Sequence, residues 1–200
     1  RSPSGNELLV GCATGLTRME IQPSGGFALA PDPSTLSDPP VFALAADVGG
    51  TIWAATGRGL AREQGGALVY TELGARAETE TALRCVLPDA SGDLYCGGEL
   101  GLFLYRPSRA RWYVLLGEAV DETVNDWLKL DLVTDSLPST ESLFVPPVNA
   151  IARGPEAGIW LGTDRGIARY LAREQRRTYS TLLEAMPRLT QAAVNRIALD

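Results

Sequence analysis

Acidic side chains are the groups in this sequence with the numbers and clustering to do chemistry. Asp121, Glu122, Asp126, Asp131 and Asp135 crowd one segment, and Asp89-Ala90-Ser91-Gly92-Asp93 alternates oxygen-bearing residues like a cation-binding string. Carboxylates serve as general acids and bases and as ligands for hard cations. The first group lacks the spacing of a calcium loop and reads as a solvated acidic loop. The second reads as a turn, because Asp47-Val48-Gly49-Gly50 fills the same place elsewhere in the chain. No histidine occurs anywhere, which removes Ser-His-Asp and Cys-His catalysis, histidine-based metal sites and histidine pH switching. No catalytic residue, metal site or cofactor is therefore expected.

The three cysteines, at 12, 85 and 96, leave two readings open. Folding Leu83–Leu87 back on Leu94–Gly98 around Asp89–Gly92 puts Cys85 opposite Cys96, where a strained cross-strand disulfide fits. Alternatively both are small buried thiols that replace Ala43 and Ala54 of the preceding copy of a repeat.

That repeat is what positions the candidate groups. Ile52-Trp53-Ala54-Ala55-Thr56-Gly57-Arg58-Gly59-Leu60-Ala61-Arg62 recurs as Ile159-Trp160-Leu161-Gly162-Thr163-Asp164-Arg165-Gly166-Ile167-Ala168-Arg169-Tyr170. Weaker copies run over 9–18 and 94–102, with Leu9 and Tyr95 in the tryptophan's place. The shared glycines Gly15, Gly59, Gly101 and Gly166 are spaced by 44, 42 and 65 residues, which fits four-stranded propeller blades, the third carrying an insertion of about 20 residues. Alternating apolar runs precede three copies (Val41–Ala45, Leu83–Leu87 and Val148–Ala152), each closed by an Asp- or Gly-bearing turn, the sequence signature of a hairpin. Phe103–Tyr105, Arg111–Leu116 and Thr178–Thr181 are candidate third or outer strands. The fold class is all-β, a β-propeller with about four blades' worth of four-stranded antiparallel sheets.

The pattern of apolar inner strand, Asp-x-x-Gly, and Ile-Trp-x-Gly-Thr-x-x-Gly-Leu followed by Arg or Tyr resembles the two-component regulator propeller repeat. Residues 159–170 and 52–62 carry the resemblance best, and it spans most of the chain except about 107–147 and the linker 31–40. It implies an extracytoplasmic sensor region of a bacterial hybrid histidine kinase or related signalling protein, on the periplasmic or extracellular side of the inner membrane. It also implies a ring of around seven blades, of which this chain would be an arc. The alternative is a closed four-bladed ring, with Val194–Leu199 pairing beside Leu8–Cys12 to protect an open strand edge.

Composition agrees with many short strands and turns: 45% hydrophobic residues, 21% charged, 21 Gly and 13 Pro in 200 residues. The array divides into a partial blade over 1–30, a blade over 41–80, a blade with insertion over 83–147, a blade over 148–190, and an inner strand of the next over 194–200. That last run stops where its turn should begin, so a fragment or processed piece is expected. A net charge of −6 and pI near 4.8 argue against nucleic acid or anionic lipid as partner. Lys129 is the one lysine among 18 basic residues, and the scattered arginines read as a coding preference. The clusters 106–111 and 173–177 read as solvated edge charges.

A site, if present, should use residues that break the repeat. Trp53 and Trp160 recur at blade spacing and read as packing between blades. The turns between second and third strands share one face of a propeller and supply Arg58, Glu99, Asp164 and Arg165. Arginines there could hold an acidic or sugar ligand by forked hydrogen bonds, and the carboxylates could accept from hydroxyls. Trp127 lies in the inserted segment, where Trp127–Val133 alternates like an extra strand; long loops on a rigid scaffold often carry binding. The ligand-binding candidates are thus Arg58, Glu99, Trp127, Asp164 and Arg165. The function expected is a non-catalytic sensing or interaction module. Its partners would be an unknown small molecule or saccharide, other domains of a signalling protein, and in one reading a second copy in a homodimer, with no nucleic acid. The alternatives are a protein-binding scaffold and a carboxylate-dependent propeller lyase or hydrolase.

Overall fold

Each copy of the repeated phrase folds as two strands joined by a two-residue turn, and its glycine permits that turn. Gly15, Gly59, Gly101 and Gly166 have φ of 114°, 126°, 118° and 117°, a region that L side chains avoid. Thr56 and Thr163 then close their turns by donating a hydroxyl to the carbonyl of Gly59 (2.8 Å) and of Gly166 (2.9 Å). Cys12 stands in the threonine's place in the first copy, and its thiol donates to the Gly15 carbonyl at 3.2 Å.

The computed structural model describes residues 7–29, 39–71, 82–116, 147–154, 158–164, 166–171, 176–178 and 194–197. Among them lie four antiparallel sheets and one 3-10 turn, Pro107–Arg109. Blade 1 has β1 (Glu7–Cys12), β2 (Gly15–Ile21) and β3 (Phe27–Leu29) in the order β1-β2-β3. Blade 2 has β4 (Val41–Ala46), β5 (Ile52–Thr56), β6 (Gly59–Gln64) and β7 (Ala67–Tyr70), in that order across the sheet. Blade 3 repeats it with β8 (Leu83–Pro88), β9 (Leu94–Gly98), β10 (Gly101–Arg106) and β11 (Arg111–Leu116). Blade 4 does so again with β12 (Val148–Arg153), β13 (Gly158–Thr163), β14 (Gly166–Leu171) and β15 (Arg176–Thr178). The fold is the expected β-propeller. Arg111–Leu116 is the outer strand of blade 3, so the insertion read from 107 begins only after it; residues 117–146, with Trp127 and the acidic cluster, lie outside the described residues.

Successive blades meet by a repeated close approach. A Cβ added at Gly11 would lie 2.6 Å from Val41 Cγ1, one at Gly97 2.5 Å from Val148 Cγ1, and one at Gly162 2.8 Å from Val194 Cγ1. Val41, Val148 and Val194 therefore each seat on a bare glycine of the preceding blade, whereas Leu83 and Ala55 take these places between blades 2 and 3; Val194 also donates its N–H to the Thr163 carbonyl at 2.9 Å. Val194–Ile197 thus takes the inner-strand place after blade 4. Among the described residues it does not pair with β1.

Two cores lie between blades. Trp53, Ala55 and Leu60 of blade 2 pack with Leu83, Leu94, Cys96, Phe103, Tyr105 and Trp112 of blade 3. The rings of Trp53 and Tyr105 meet edge-on at 5.8 Å, and those of Tyr105 and Trp112 lie 4.8 Å apart. Trp53 is thus an inter-blade packing residue. The second core joins Cys85, Tyr95 and Leu102 to Val148, Ile159 and Leu161 of blade 4.

The cysteine register differs from the one expected. Cys96 pairs with Val86, and Cys85 faces Gly97. The turn is closed by Asp89 N–H to Asp93 carbonyl (2.8 Å), with Gly92 at φ 85°, so it centres on Ser91 and every partner moves by one. Adjacent strand positions face opposite sides of a sheet. Cys96 consequently enters one inter-blade core and Cys85 the other, all three cysteines are free, and the buried-thiol reading holds.

Candidate ligand-binding mouth

A one-residue irregularity recurs at the start of three inner strands. Register slips between Val41 and Ala43, between Leu83 and Cys85, and between Val148 and Ala150. The extra residues are Phe42, Arg84 and Asn149. A bulge re-aims a side chain out of the alternating pattern, and each of these meets the tight turn of its own blade fifteen residues later. Arg84 Nη2 donates to Glu99 Oε1 at 3.2 Å, and Asn149 Nδ2 donates to Asp164 Oδ1 at 2.5 Å, both at a separation of 15 residues. In blade 2 the Phe42 ring edge lies 3.9 Å from where a Cβ of Gly57 would stand.

The bulge residues also meet across blades. Arg84 Nη1 donates to Asn149 Oδ1 at 2.5 Å. Glu99, Arg84, Asn149 and Asp164 therefore form one strip in which carboxylate, guanidinium, amide and carboxylate follow one another over blades 3 and 4. The amide orientation follows from its neighbours, since its oxygen can only accept from the arginine and its nitrogen can only donate to the aspartate. Glu99 and Asp164 are exposed, and the Arg84 and Glu99 side chains keep 37% and 60% of their accessible surface. The strip is thus reachable from solvent.

Of the five residues chosen from sequence, Glu99 and Asp164 are brought into this strip. Arg58 is not: its guanidinium lies 4.9 Å above the Tyr70 ring on the outer strand, turned toward the blade's rim. Trp127 and Arg165 lie outside the described residues. Arg84 and Asn149 were missed because each occupies a polar position in an otherwise ordinary alternating run. The signal that finds them is their constant distance from the turn.

Other charged groups are spent on structure. The Asp47 carboxylate accepts from Gly49 N–H (2.9 Å), Thr51 N–H (3.0 Å) and Trp53 Nε1 (2.9 Å). Burial pushes this carboxyl up, but its hydrogen bonds from Trp53, Thr51 and Gly49 outweigh burial and hold it below its ordinary value. Asp89 forms the corresponding turn by accepting from the N–H of Ser91 (2.7 Å) and Asp93 (3.1 Å). Asp93 is 9% exposed and takes a forked pair from Arg106 at 2.8–3.1 Å. Arg106, expected as a solvated edge charge, is instead fixed by that carboxylate and by the Tyr113 ring 5.1 Å away. Its hydrogen bonds to Asp93 raise its already high pKa. The string 89–93 is therefore a turn and an ion pair.

A concavity of about 400 Å³ lies at the opposite end of blades 1 and 2, beside Leu9, Arg18, Thr51, Ile52 and Glu63. Its polar groups are engaged: Arg18 pairs with Glu63 at 2.7 Å and Glu7 at 3.4 Å, and the Gly49 and Thr51 amides serve Asp47. Among the described residues no three His, Cys, Asp or Glu side chains gather to hold a metal ion, and no helix is long and apolar enough to cross a membrane.

No family model and no curated protein matches the sequence. Solved structures do. The extracellular domain of BT4673 from B. thetaiotaomicron, described both as a one component and as a hybrid two component system, superposes with a TM-score of 0.65 at 16% identity, covering 98% of this chain and 24% of that one. The extracellular domain of the hybrid two component system BT3049 from the same organism gives a TM-score of 0.53 at 17% identity, covering 84% of this chain and 20% of that one. The chain spans a quarter or less of the length of these two extracellular domains. They are extracellular domains of the class that the repeat resemblance implies, and what the likeness establishes for this chain is the β-propeller fold.

Proposed function

We propose that this chain is a non-catalytic, extracytoplasmic sensing module of a bacterial signal-transduction protein, and that it binds a neutral polyhydroxyl ligand, a saccharide, at the mouth formed by blades 3 and 4. The observation that carries the reading is the strip Glu99–Arg84–Asn149–Asp164. A vicinal pair of hydroxyls both donates and accepts, and a row of carboxylate, guanidinium and amide offers the complement. Arg84 and Asn149 sit on bulges of inner strands, and Glu99 and Asp164 on two-residue turns, so all four are aimed by the scaffold and not by long loops.

The same geometry disfavours an enzyme. Each carboxylate of the strip already accepts from a neighbouring donor, and within the strip no nucleophile stands beside a base as acyl transfer demands. Signalling follows from where the strip lies. A ligand that replaces Arg84–Asn149 contacts on one side only changes how blade 3 meets blade 4, and the rest of the protein would receive that change.

The test is titration calorimetry of the purified chain against neutral mono- and oligosaccharides, with each mixture then chromatographed for products. Saturable binding lost in Arg84→Ala, without product, is the expected result. Turnover of any probe would overturn the sensor reading in favour of a propeller lyase or hydrolase.

A further inference from the structure

We propose that Phe42 is the apolar platform of this mouth, the face on which a saccharide ring stacks while the polar strip holds its hydroxyls. The inference rests on the saccharide reading above and adds a third blade to the site.

Three observations place it there. Phe42 occupies the bulge position of β4, the position that Arg84 holds in β8 and Asn149 in β12, and the inner strands β4, β8 and β12 lie side by side. Phe42 is also 53% exposed, whereas Phe103, Trp53, Tyr105 and Trp112 are buried in the core between blades 2 and 3. Finally, the turn residue that covers the bulge side chain is a carboxylate in blades 3 and 4 but Gly57 in blade 2. A Cβ at Gly57 would stand 3.3 Å from Pro40 Cδ and 3.6 Å from Pro39 Cβ. The two prolines thus stand where a turn side chain would extend, no carboxylate covers the ring, and it is left exposed.

Exposed aromatic rings of this size are costly to hydrate, and they take up the apolar C–H face of a pyranose readily. Polar groups fix hydroxyls and a ring fixes the sugar plane, so together they define orientation as well as composition. An apolar side chain with no stacking role would serve equally well as leucine.

The experiment uses the purified chain, with methyl β-D-glucoside, cellobiose and inositol as probes, in titration calorimetry of wild type, Phe42→Leu, Phe42→Tyr and Arg84→Ala. Stacking predicts roughly tenfold weaker binding of the pyranosides in Phe42→Leu, near-wild-type binding in Phe42→Tyr, and loss in Arg84→Ala. Binding lost in Arg84→Ala but unchanged in Phe42→Leu would overturn the platform and leave the mouth intact. No binding of any probe to the wild type would overturn the saccharide reading and the platform with it. Unaltered melting temperature in Phe42→Leu, expected for an exposed side chain, excludes a folding effect.

Discussion

The interface between blades 2 and 3 and the interface between blades 3 and 4 use the same strands in the same register, yet they are held differently. The first is a continuous aromatic core: Trp53 reaches across to Tyr105, which lies against Trp112, with Phe103 behind. The second has a smaller and mostly aliphatic core, with Tyr95 among its members, and is tied at both ends by polar links. Arg84 meets Asn149 at the mouth, and Arg153 Nη2 donates to the Pro88 carbonyl at 3.0 Å at the opposite end. Burial of large rings is worth several kcal/mol and resists exchange, whereas exposed polar links are worth little and trade easily for bonds to a ligand. The contrast teaches that rigidity and responsiveness are assigned to different faces of one blade, with blade 3 anchored on one side and adjustable on the other.

Trp53→Ala should break the anchored side outright. It removes a buried ring and the Nε1 donor to Asp47, so a loss of about 3–5 kcal/mol is expected in urea unfolding. Gly97→Ala should break the other side by overpacking, since the new Cβ would lie 2.5 Å from Val148 Cγ1 and 2.6 Å from Cys85 Sγ. A cost of about 1–3 kcal/mol is expected. If Gly97→Ala proved as costly as Trp53→Ala, the two interfaces would not differ in the way their residues indicate.

Acid should also discriminate them. Asp47 is held below its ordinary value of 3.8 by bonds that include Trp53 Nε1. A carboxyl depressed in the folded state contributes stability above its unfolded pKa, and that contribution is lost as pH falls through the folded value. Blade 4 has Gly154 where blade 2 has Asp47, with Trp160 Nε1 lying against it, so the Asp47 carboxyl has no counterpart at that position. Asp47→Asn should therefore lower stability near neutrality, where that contribution is fully present, and flatten the fall in stability below about pH 4, as followed by thermal melts across pH.

Much of this contrast was legible in the sequence, and the exceptions share a cause. The four repeat glycines announced their turns because only glycine tolerates the φ they adopt, and Trp53 was recognisable as packing from its blade spacing. The bulges were invisible: Val41-Phe42-Ala43-Leu44-Ala45 alternates in composition whether or not one residue is looped out. The same one-residue ambiguity displaced Cys85 from Cys96, because a turn centred on Ser91 and one centred between Ala90 and Ser91 read alike in letters. Glu99 and Asp164 were found as turn residues, while their partners Arg84 and Asn149 required the register. Arg58 was chosen on the same grounds as Glu99, and only the Tyr70 ring, twelve residues on in the outer strand, decides that it faces the rim.

The two buried thiols report the two interfaces separately, which permits the smallest of these effects to be read. Cys96 lies in the aromatic core, where burial raises its pKa, and Cys85 lies in the aliphatic core, where burial pushes it up to about 12. Cys12 is instead lowered by hydrogen bonds with Thr14 and Thr17, so alkylation of the native protein at pH 8 should modify Cys12 alone. Arg84→Ala removes an exposed link and should cost no more than about 0.2–1 kcal/mol in global stability. It should nonetheless speed alkylation of Cys85 several-fold, because the side of blade 3 that it tethers opens more often, while Cys96 stays protected. Equal acceleration of both thiols would mean that blade 3 leaves both neighbours at once, and the division between an anchored and an adjustable face would fail.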